Sequence, residues 1–449
     1  MVRPKKAQNV RSIGRSEGGR PGILLIGTLD TKAQELTCLA GLIEGQGAAT
    51  LLLDASTGPE SDAGAQAAAA GFSVITREQV AAAAGTSVTA LTALERGEAI
   101  ATMREGVATL TRELAERGEI AGAICVGGAG AHLAGPAFQQ LQLGFPKLVV
   151  SPLASGNRTF EAYVGLRDVA VLHSVADIAG VNAVTFPVYV QAAGYIVGAA
   201  RAFQSVPAAE QSATAIAVSM NGNTTPALTR ARLALEAAGY SCVSFHANGV
   251  GGRALEDFVA SGKALAVLDY TTTELSAHLV GGLMDSGADR MRAAGRAGIA
   301  QVLVPGCVDF ITCGRWDEAE LEFPGRRLFA HNPELTLVRL TAEEMEAVGR
   351  TFAQKANAAT AATTICVPMH GFSVPDTDGG EFWDPAADRA FVSALQETLR
   401  DEVRLRLIDA HINDDAFIDA VLEELLALIQ GPGKLPGASP QQRVTSVNP

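Results

Sequence analysis

Short apolar runs alternate with amphipathic helical segments along almost the whole chain, and most runs end in a loop rich in glycine or polar residues. Residues 23–27 form the first run, residues 33–44 carry apolar side chains at helical spacing, and residues 50–53 form the second run. This order and length match a strand–helix–strand crossover, which joins parallel strands. The alternation therefore predicts parallel sheets with helices on both faces.

Chain length and one polar stretch divide this pattern into two parts. With 449 residues the chain exceeds the size at which one core usually keeps growing. Residues 205–212 are small and polar with one proline, and a new apolar run begins at residue 214. We predict an α/β fold of two Rossmann-like, doubly wound parallel-sheet domains, over residues 22–205 and 213–430. Residues 1–21 are predicted to be a flexible basic tail and residues 431–449 a disordered tail.

Composition and charge exclude several classes of protein. A net charge of −13 argues against a general nucleic-acid binder, which needs a basic surface. No segment approaches the roughly 18 uninterrupted apolar residues of a membrane span, and the basic start lacks the apolar stretch of a secretory signal. The six cysteines lie far apart in the sequence, so reduced thiols are expected. We therefore expect a cytoplasmic protein with small-molecule or protein partners.

The loop after the first apolar run is a candidate phosphate site. Ligands of open parallel sheets bind beyond the carboxyl ends of the strands. Asp30, Thr31 and Lys32 stand at the predicted helix start, where unpaired amides favour an anion and Lys32 adds positive charge. Alternatively, Thr31 and Gln34 form a capping box that satisfies the same amides. The sequence leaves both interpretations open.

A second candidate is the glycine loop at residues 127–130, which follows the apolar run 122–126. Residues without side chains let backbone amides approach a phosphate closely, and we favour this role over a purely steric turn. The loop has neither the P-loop pattern nor the dinucleotide fingerprint, so an unusual nucleotide site is required. Asp54, at the end of the second run, stands where an acid often meets a ribose, although such a residue is more often a turn former.

Motifs in both halves carry a family resemblance. In the first half they are ILLIGTLDTKAQEL, LLLDAST, ERGEAIATM, GAICVGGAGAHLAG, and VVSPLASG followed by VADIAGVNAV. In the second half they are HANGVGGRALEDF, DYTTTEL, VPGCVDF and PMHGFSVPDTDGGEFWDP. Over roughly residues 23–419 the chain resembles the family of the tomato mosaic virus resistance protein, with its ATP-binding inhibitor domain, and the bacterial relatives of unassigned activity.

This resemblance implies an ATP site in the first domain. The residues that match the family's site are Asp30, Thr31, Lys32, Thr57, Arg96, Gly128, Ala129, Gly130 and Ala131. Without the resemblance, Arg96 would be interpreted as an exposed charge before a helix; with it, Arg96 is a bidentate phosphate donor. Ala131 and His132 depart from the more glycine-like end of the family's loop. Magnesium is expected with ATP, held mainly by phosphate oxygens and water, so no protein metal ligand is predicted.

Polar groups at the ends of the second domain's apolar runs include four histidines, which could share a substrate site as general acids or bases. They are His246, His278, His331 and His370. None has the spacing of a metal motif, and an ordinary loop histidine is the equally weighted alternative. Cys307 is a candidate nucleophile, but a cysteine after an apolar run is more often a buried packing residue.

The sequence is compatible with two functions. The first is an ATP- and magnesium-dependent enzyme that transfers a phosphoryl group to, or activates a carboxylate of, a small molecule at the cleft between the domains. The second is a regulatory module that ATP stabilises without turnover and that acts through a protein partner. An apolar helical segment at residues 188–203, with Gly194 and Gly198, is suited to packing between the domains or at a dimer interface, and we expect a homo-oligomer.

Overall fold

The computed structural model describes residues 21–58, 61–152, 161–207, 210 and 213–430. The tail predicted for residues 1–21, apart from its last residue, and the tail predicted for residues 431–449 lie outside the described residues. The chain divides into two compact units between Gln211 and Ser212. Each unit is described on its own below.

Six parallel strands form the sheet of the first unit, in the order β3-β2-β1-β4-β5-β6. They are β1 (Gly22–Gly27), β2 (Thr50–Asp54), β3 (Ser73–Ile75), β4 (Ile120–Val126), β5 (Lys147–Ser151) and β6 (Ala170–His173). The β1 strand is buried on both sides because successive side chains point to opposite faces: Leu24 and Ile26 join one core, and Ile23 and Leu25 the other. Such a strand is apolar at every position, as in the sequence.

Helices cover both faces of this sheet. They are α1 (Leu29–Glu44), α2 (Ala63–Ala69), α3 (Arg77–Ala83), α4 (Val88–Leu91), α5 (Arg96–Glu116), α6 (Gly135–Gln140), α7 (Glu161–Val164) and α8 (Thr185–Ser205). On one face Leu39 of α1 packs in the same core as Ile196 of α8. On the other face Met103 of α5 shares a core with Val80 of α3 and Phe138 of α6.

The second unit also has a six-stranded parallel sheet, in the order β8-β7-β9-β10-β14-β15. Its strands are β7 (Ala215–Met220), β8 (Cys242–His246), β9 (Ala264–Thr271), β10 (Gln301–Gly306), β14 (Thr363–Pro368) and β15 (Arg404–Ile408). Between β10 and β14 the chain forms an antiparallel sheet in the order β11-β13-β12, which the sequence did not predict. Its strands are β11 (Phe310–Cys313), β12 (Leu328–Asn332) and β13 (Leu335–Arg339).

Helices again cover both faces of the main sheet. They are α9 (Thr225–Ala237), α10 (Val250–Ala260), α11 (Thr273–Val280), α12 (Ala293–Ala297), α13 (Trp316–Glu322), α14 (Ala342–Asn357), α15 (Pro385–Thr398) and α16 (Asp415–Gln430). Leu228 of α9 and Phe417 of α16 pack on one face, and Phe352 of α14 and Phe391 of α15 on the other. The prediction of two Rossmann-like doubly wound sheets is confirmed. Within the described residues no helix is long and apolar enough to cross a membrane.

Candidate functional site

The strand order of the first unit defines where a ligand can bind. Strands β2 and β3 continue from β1 in one direction across the sheet, and β4 to β6 continue in the other. The direction in which successive strands are added to the sheet therefore reverses between the parallel neighbours β1 and β4. A crevice opens beyond the carboxyl ends of these two strands. The loops that begin after Gly27 and Val126 flank this crevice. Both loops that the sequence singled out thus start at the same point of the sheet.

Helix α1 begins earlier than predicted, at Leu29 instead of residue 33. The Leu29 amide donates to the Asp54 carboxylate at 3.0 Å. The amides of Thr31 and Lys32 donate to the Thr28 carbonyl at 3.3 and 2.9 Å. The expectation of unpaired amides at Asp30 to Lys32 is therefore wrong, because the helix starts one turn earlier and the protein itself satisfies its first amides.

The alternative of a capping box is also wrong. Thr31 lies inside the first turn, and its hydroxyl bonds to the hydroxyl of Thr28 at 2.8 Å, so it does not cap the helix with Gln34. Asp54 is only 6% exposed, and burial raises its pKa. Because Asp54 caps α1, the structure favours the interpretation of this residue as a turn former over a contact with a ribose.

Asp30 joins the ends of β1 and β2. Its amide donates to the Ser56 hydroxyl at 3.1 Å, and its Oδ2 accepts from the Gly58 amide at 3.1 Å. Thr57, the next predicted site residue, stands half-buried between these two partners. The second carboxylate oxygen of Asp30 is buried and has no hydrogen-bond partner. A buried acceptor without a donor is unfavourable, so this oxygen is suited to a hydroxyl or a metal-bound water of a ligand.

Lys32 reaches across the same edge of the sheet. Its backbone departs from helical geometry, with φ −132° and ψ 23°, and its ammonium donates to the carbonyl of Ile178 in the loop after β6. This loop is also tied to α1 by the Gly180 amide, which donates to Glu35 at 2.6 Å. A carbonyl satisfies a hydrogen bond but carries no charge, and no carboxylate of the described residues forms an ion pair with Lys32. Lys32 therefore supplies positive charge at the crevice.

The glycine loop leaves β4 and enters a 3-10 helix, Ala129–Ala134, that contains Ala129, Gly130 and Ala131. The Gly127 amide still belongs to the sheet and donates to the Val150 carbonyl at 3.1 Å. At Gly128 a Cβ would come no closer than 3.9 Å to another group, the Oδ1 of Asp177. Within the described residues no neighbour excludes a Cβ at this position, but the backbone of Gly128, with φ −73° and ψ −114°, lies outside the usual range of residues with a side chain.

Arg96 is the first residue of α5 and is exposed. Because α5 leads into β4, its first turn lies toward the carboxyl edge of the sheet, on the same side as the two loops. Among the described residues Arg96 has no ion-pair partner. In the same described ranges no group of three or more histidine, cysteine, aspartate or glutamate side chains is arranged to hold a metal ion.

The corresponding point of the second unit, between β7 and β9, is filled by an internal ion pair. Arg290 is fully buried and donates to both oxygens of Asp269, at 2.5 and 2.6 Å, and to Glu274 at 2.6 Å. Burial opposes the charge, but the carboxylates outweigh it and hold the pKa of Arg290 well above its ordinary value. Glu274 also accepts from the amides of Gly249 and Gly252, at 2.7 and 2.9 Å. The amides of this glycine-rich segment thus bind a carboxylate of the protein itself.

The four candidate histidines are not brought together. His246 ends β8, and His370 follows β14; three strands separate them, or about 19 Å at roughly 4.8 Å per strand. His278 bonds to Asp285 at 2.9 Å near the end of α11, and His331 is exposed on β12 of the inserted sheet. The four histidines therefore do not form one site, and their catalytic roles singly or in smaller combinations stay predictions.

Cys307 follows β10 and is completely buried. Its backbone has a φ of +59°, an unusual value for a residue with a side chain, and its thiol lies 3.6 Å from the Asn221 amide oxygen. Burial raises the pKa of Cys307 well above its ordinary value. A buried neutral thiol is a poor nucleophile, which favours the packing interpretation.

A buried cluster that sequence reasoning missed surrounds Arg339. Its guanidinium donates to Asp388 at 2.6 Å and lies 3.8 Å from Asp376, while Ser373 donates to Asp309 at 2.7 Å. Burial, and then the charge of Asp376, raises the pKa of Asp309 to about 7 and that of Asp388 to about 8. Asp309 and Asp376 stand out in the sequence as polar groups at strand ends, but Arg339 lies within a strand and Asp388 within a helix, so no local pattern links the four.

The fold defines a protein of two Rossmann-like parallel-sheet units. The sheet of each unit has a topological switch point at the carboxyl ends of its strands. Models of the uncharacterised protein family UPF0261 match both units: its N-terminal domain at residues 21–205 and its C-terminal domain at residues 213–429. The chain belongs to the UPF0261 family.

Proteins of similar sequence support this family assignment. A UPF0261 protein of Clostridium tetani is 34% identical over 411 residues, 91% of this chain and 99% of that protein. Another, from Rhizobium meliloti, is 36% identical over 405 residues, 89% of this chain and 97% of its own. The ToMV resistance protein Tm-1(GCR237) of Solanum lycopersicum is 34% identical over 340 residues, 74% of this chain but 45% of the tomato protein. The resemblance inferred from the motifs is confirmed.

Proposed function

We propose that the first unit binds ATP, together with magnesium, in the crevice beyond β1 and β4. One observation carries the proposal: the two loops selected from the sequence, at Asp30 to Lys32 and Gly128 to Ala131, follow adjacent strands at the topological switch point. Such a crevice is the general ligand site of open α/β sheets. The family resemblance supplies the identity of the nucleotide.

The chain's own contacts decide which groups serve the phosphates. Since the first amides of α1 are satisfied internally, phosphate binding rests on the glycine loop and on the charges of Lys32 and Arg96. Gly128 offers an unobstructed approach. The unpartnered oxygen of Asp30 is suited to a ribose hydroxyl or to a water of the metal ion. Each of these proposed roles is compatible with the contacts that the residue already makes within the protein.

Magnesium fits this site as a companion of the phosphates. The carboxylates of Asp30, Asp54 and Asp177 belong to the loops at this edge, and a polyphosphate would add further negative charge. Bound magnesium would neutralise that charge and polarise the phosphates. Because the described residues hold no cluster of three metal-ligating side chains, phosphate oxygens and water would supply most of its ligands.

The second unit bears on whether ATP is turned over. An enzyme that uses an acid or base of the second unit cannot use all four histidines together, because His246 and His370 lie three strands apart; phosphoryl transfer itself rests mainly on positioning and on neutralising charge. A module that ATP stabilises, and that acts through a protein partner, needs no such group. Both functions rest on the same nucleotide site, and turnover of ATP separates them. Phosphate release from ATP, measured across a panel of small carboxylates and carbonyl compounds, distinguishes the two: sustained release with one substrate would establish the enzyme.

Calorimetric titration of the full chain with ATP and magnesium tests the binding itself. Lys32→Ala and Arg96→Ala should each weaken binding by about tenfold, which corresponds to about 1.4 kcal/mol. Arg112→Ala is the matched control, since Arg112 is an exposed arginine later in α5 and its loss changes the net charge equally. Equal affinities in all four proteins would reject the site, and a folded wild type that does not bind ATP would reject the function.

A further inference from the structure

Arg104 of α5 is a half-buried arginine that the ATP site described above does not use. Its Nε is buried and has no hydrogen-bond partner, and no carboxylate of the described residues lies within ion-pair distance of it. The buried arginines of the second unit differ: Arg290 and Arg339 are each held by carboxylates at 2.6 Å or less. A guanidinium has five N–H donors and no acceptor, so an anion is the partner that Arg104 lacks.

Space for such an anion lies directly beside Arg104. A surface cavity of about 350 Å³ opens between α5 and α6. Its lining residues are Ala101, Arg104, Glu105, Ala108, Thr109, Pro136 and Gln140. This volume lies within the ordinary range of small-molecule sites, roughly 300–1,000 Å³. Arg104 is the only cation among these lining residues.

His132 connects this arginine to the glycine loop. It belongs to the 3-10 helix that continues from Gly128, and its ring lies 5.6 Å from that of Tyr163, centroid to centroid. Burial, and then the nearby charge of Arg104, lowers the pKa of His132. The 3-10 helix that carries His132 packs against α5, which carries Arg104, and both side chains can donate hydrogen bonds. Both elements adjoin β4 in the chain, since α5 leads into this strand and the 3-10 helix follows it.

We propose that Arg104, with His132 beside it, binds a phosphate group. This inference rests on the proposed function where the phosphate belongs to ATP; inorganic phosphate is the other source of the same chemistry. Glu105 also lines the cavity, and its carboxylate opposes a bound anion. Arg104 thus adds a charge-assisted, bidentate contact to those of Lys32 and Arg96.

Calorimetry with ATP and magnesium, AMP, and inorganic phosphate tests the proposal on the full chain. Arg104→Gln should weaken ATP binding at least tenfold and AMP binding less than threefold, if the subsite holds a phosphate distant from the sugar. His132→Gln should weaken ATP binding several-fold. Glu105→Gln should strengthen it, a change of opposite sign that a damaged fold does not produce. Arg112→Gln on the same helix should leave both affinities unchanged.

The outcomes separate this inference from the proposed function. If the wild type binds ATP and Arg104→Gln binds it as tightly as Arg112→Gln does, the Arg104 subsite is overturned while ATP binding stands. If the wild type binds inorganic phosphate in an Arg104-dependent way but not ATP, the subsite stands and the nucleotide function fails. Binding of neither ligand by the folded wild type overturns both.

Discussion

Arg290 donates two hydrogen bonds to the carboxylate of Asp269, at 2.5 and 2.6 Å, in the interior of the second unit. Both side chains are almost completely buried, and Ser219 donates to the same carboxylate at 2.6 Å. The pair occupies the end of β9, next to the first strand of that sheet, where a ligand would otherwise be sought. The second unit thus uses its switch point for stability.

Arg290→Met should lower the free energy of unfolding of the protein by roughly 3–5 kcal/mol, because it leaves the buried carboxylates of Asp269 and Glu274 without a counterion. The matched control is Arg230→Met. Arg230 pairs with Asp419 at 2.7 Å on the surface, where solvent screens the charges, so its loss should change stability little. Urea unfolding measures both variants. Similar losses in the two would show that the buried pair is not a major source of stability.

Gly251→Ala should destabilise the second unit by about 2 kcal/mol. A Cβ at this position would collide with the carbonyl oxygen of His246, a backbone atom that the sheet holds in place. Gly222→Ala provides the comparison, since a Cβ there meets nothing within 4 Å. Thermal unfolding of the two variants should therefore diverge; if Gly251→Ala unfolds at the wild-type temperature, the close approach of the first turn of α10 to β8 is incorrect.

The cluster around Arg339 predicts a dependence of stability on pH. The pKa of Asp388 is raised to about 8, so its protonated form favours the folded state. This stabilisation is present in full below the unfolded pKa, near 4, and is lost as the pH rises toward 8. Asp388→Asn keeps an uncharged side chain at every pH. The free energy of unfolding of the wild type, relative to this variant, should fall by roughly 1 kcal/mol or more between pH 5 and pH 9; a constant difference would contradict the raised pKa.

Much of the fold could be predicted because each buried strand is apolar on both faces. The run from Gly22 to Gly27 is recognisable without its neighbours, and so is the glycine loop after Val126. The start of α1 was missed because its first amide is capped by Asp54, 25 residues away in sequence. Local patterns do not report a partner at that distance.

Some residues of the candidate sites could likewise be predicted from the sequence, and others could not. Lys32 and Gly128 were selected from loops that follow strands, where the sequence gives a direct signal. Arg104 lies inside a helix and became notable only through its cavity and its neighbour His132. Likewise, Arg339 and Asp388 stand 49 residues apart and meet only in the folded chain. Pairings of this kind depend on tertiary structure and leave no local pattern.

ATP binding by Gly128→Ala tests the central claim most directly. Because a Cβ at Gly128 meets no described group closer than 3.9 Å, the variant should fold, and thermal unfolding of the wild type and the variant measures any cost of the backbone conformation there, with φ −73° and ψ −114°. If the glycine loop receives the phosphates, the added methyl group obstructs them, and calorimetry should show ATP affinity reduced at least tenfold, by about 1.4 kcal/mol or more. A Gly128→Ala variant that binds ATP as tightly as the wild type would contradict a nucleotide site between β1 and β4.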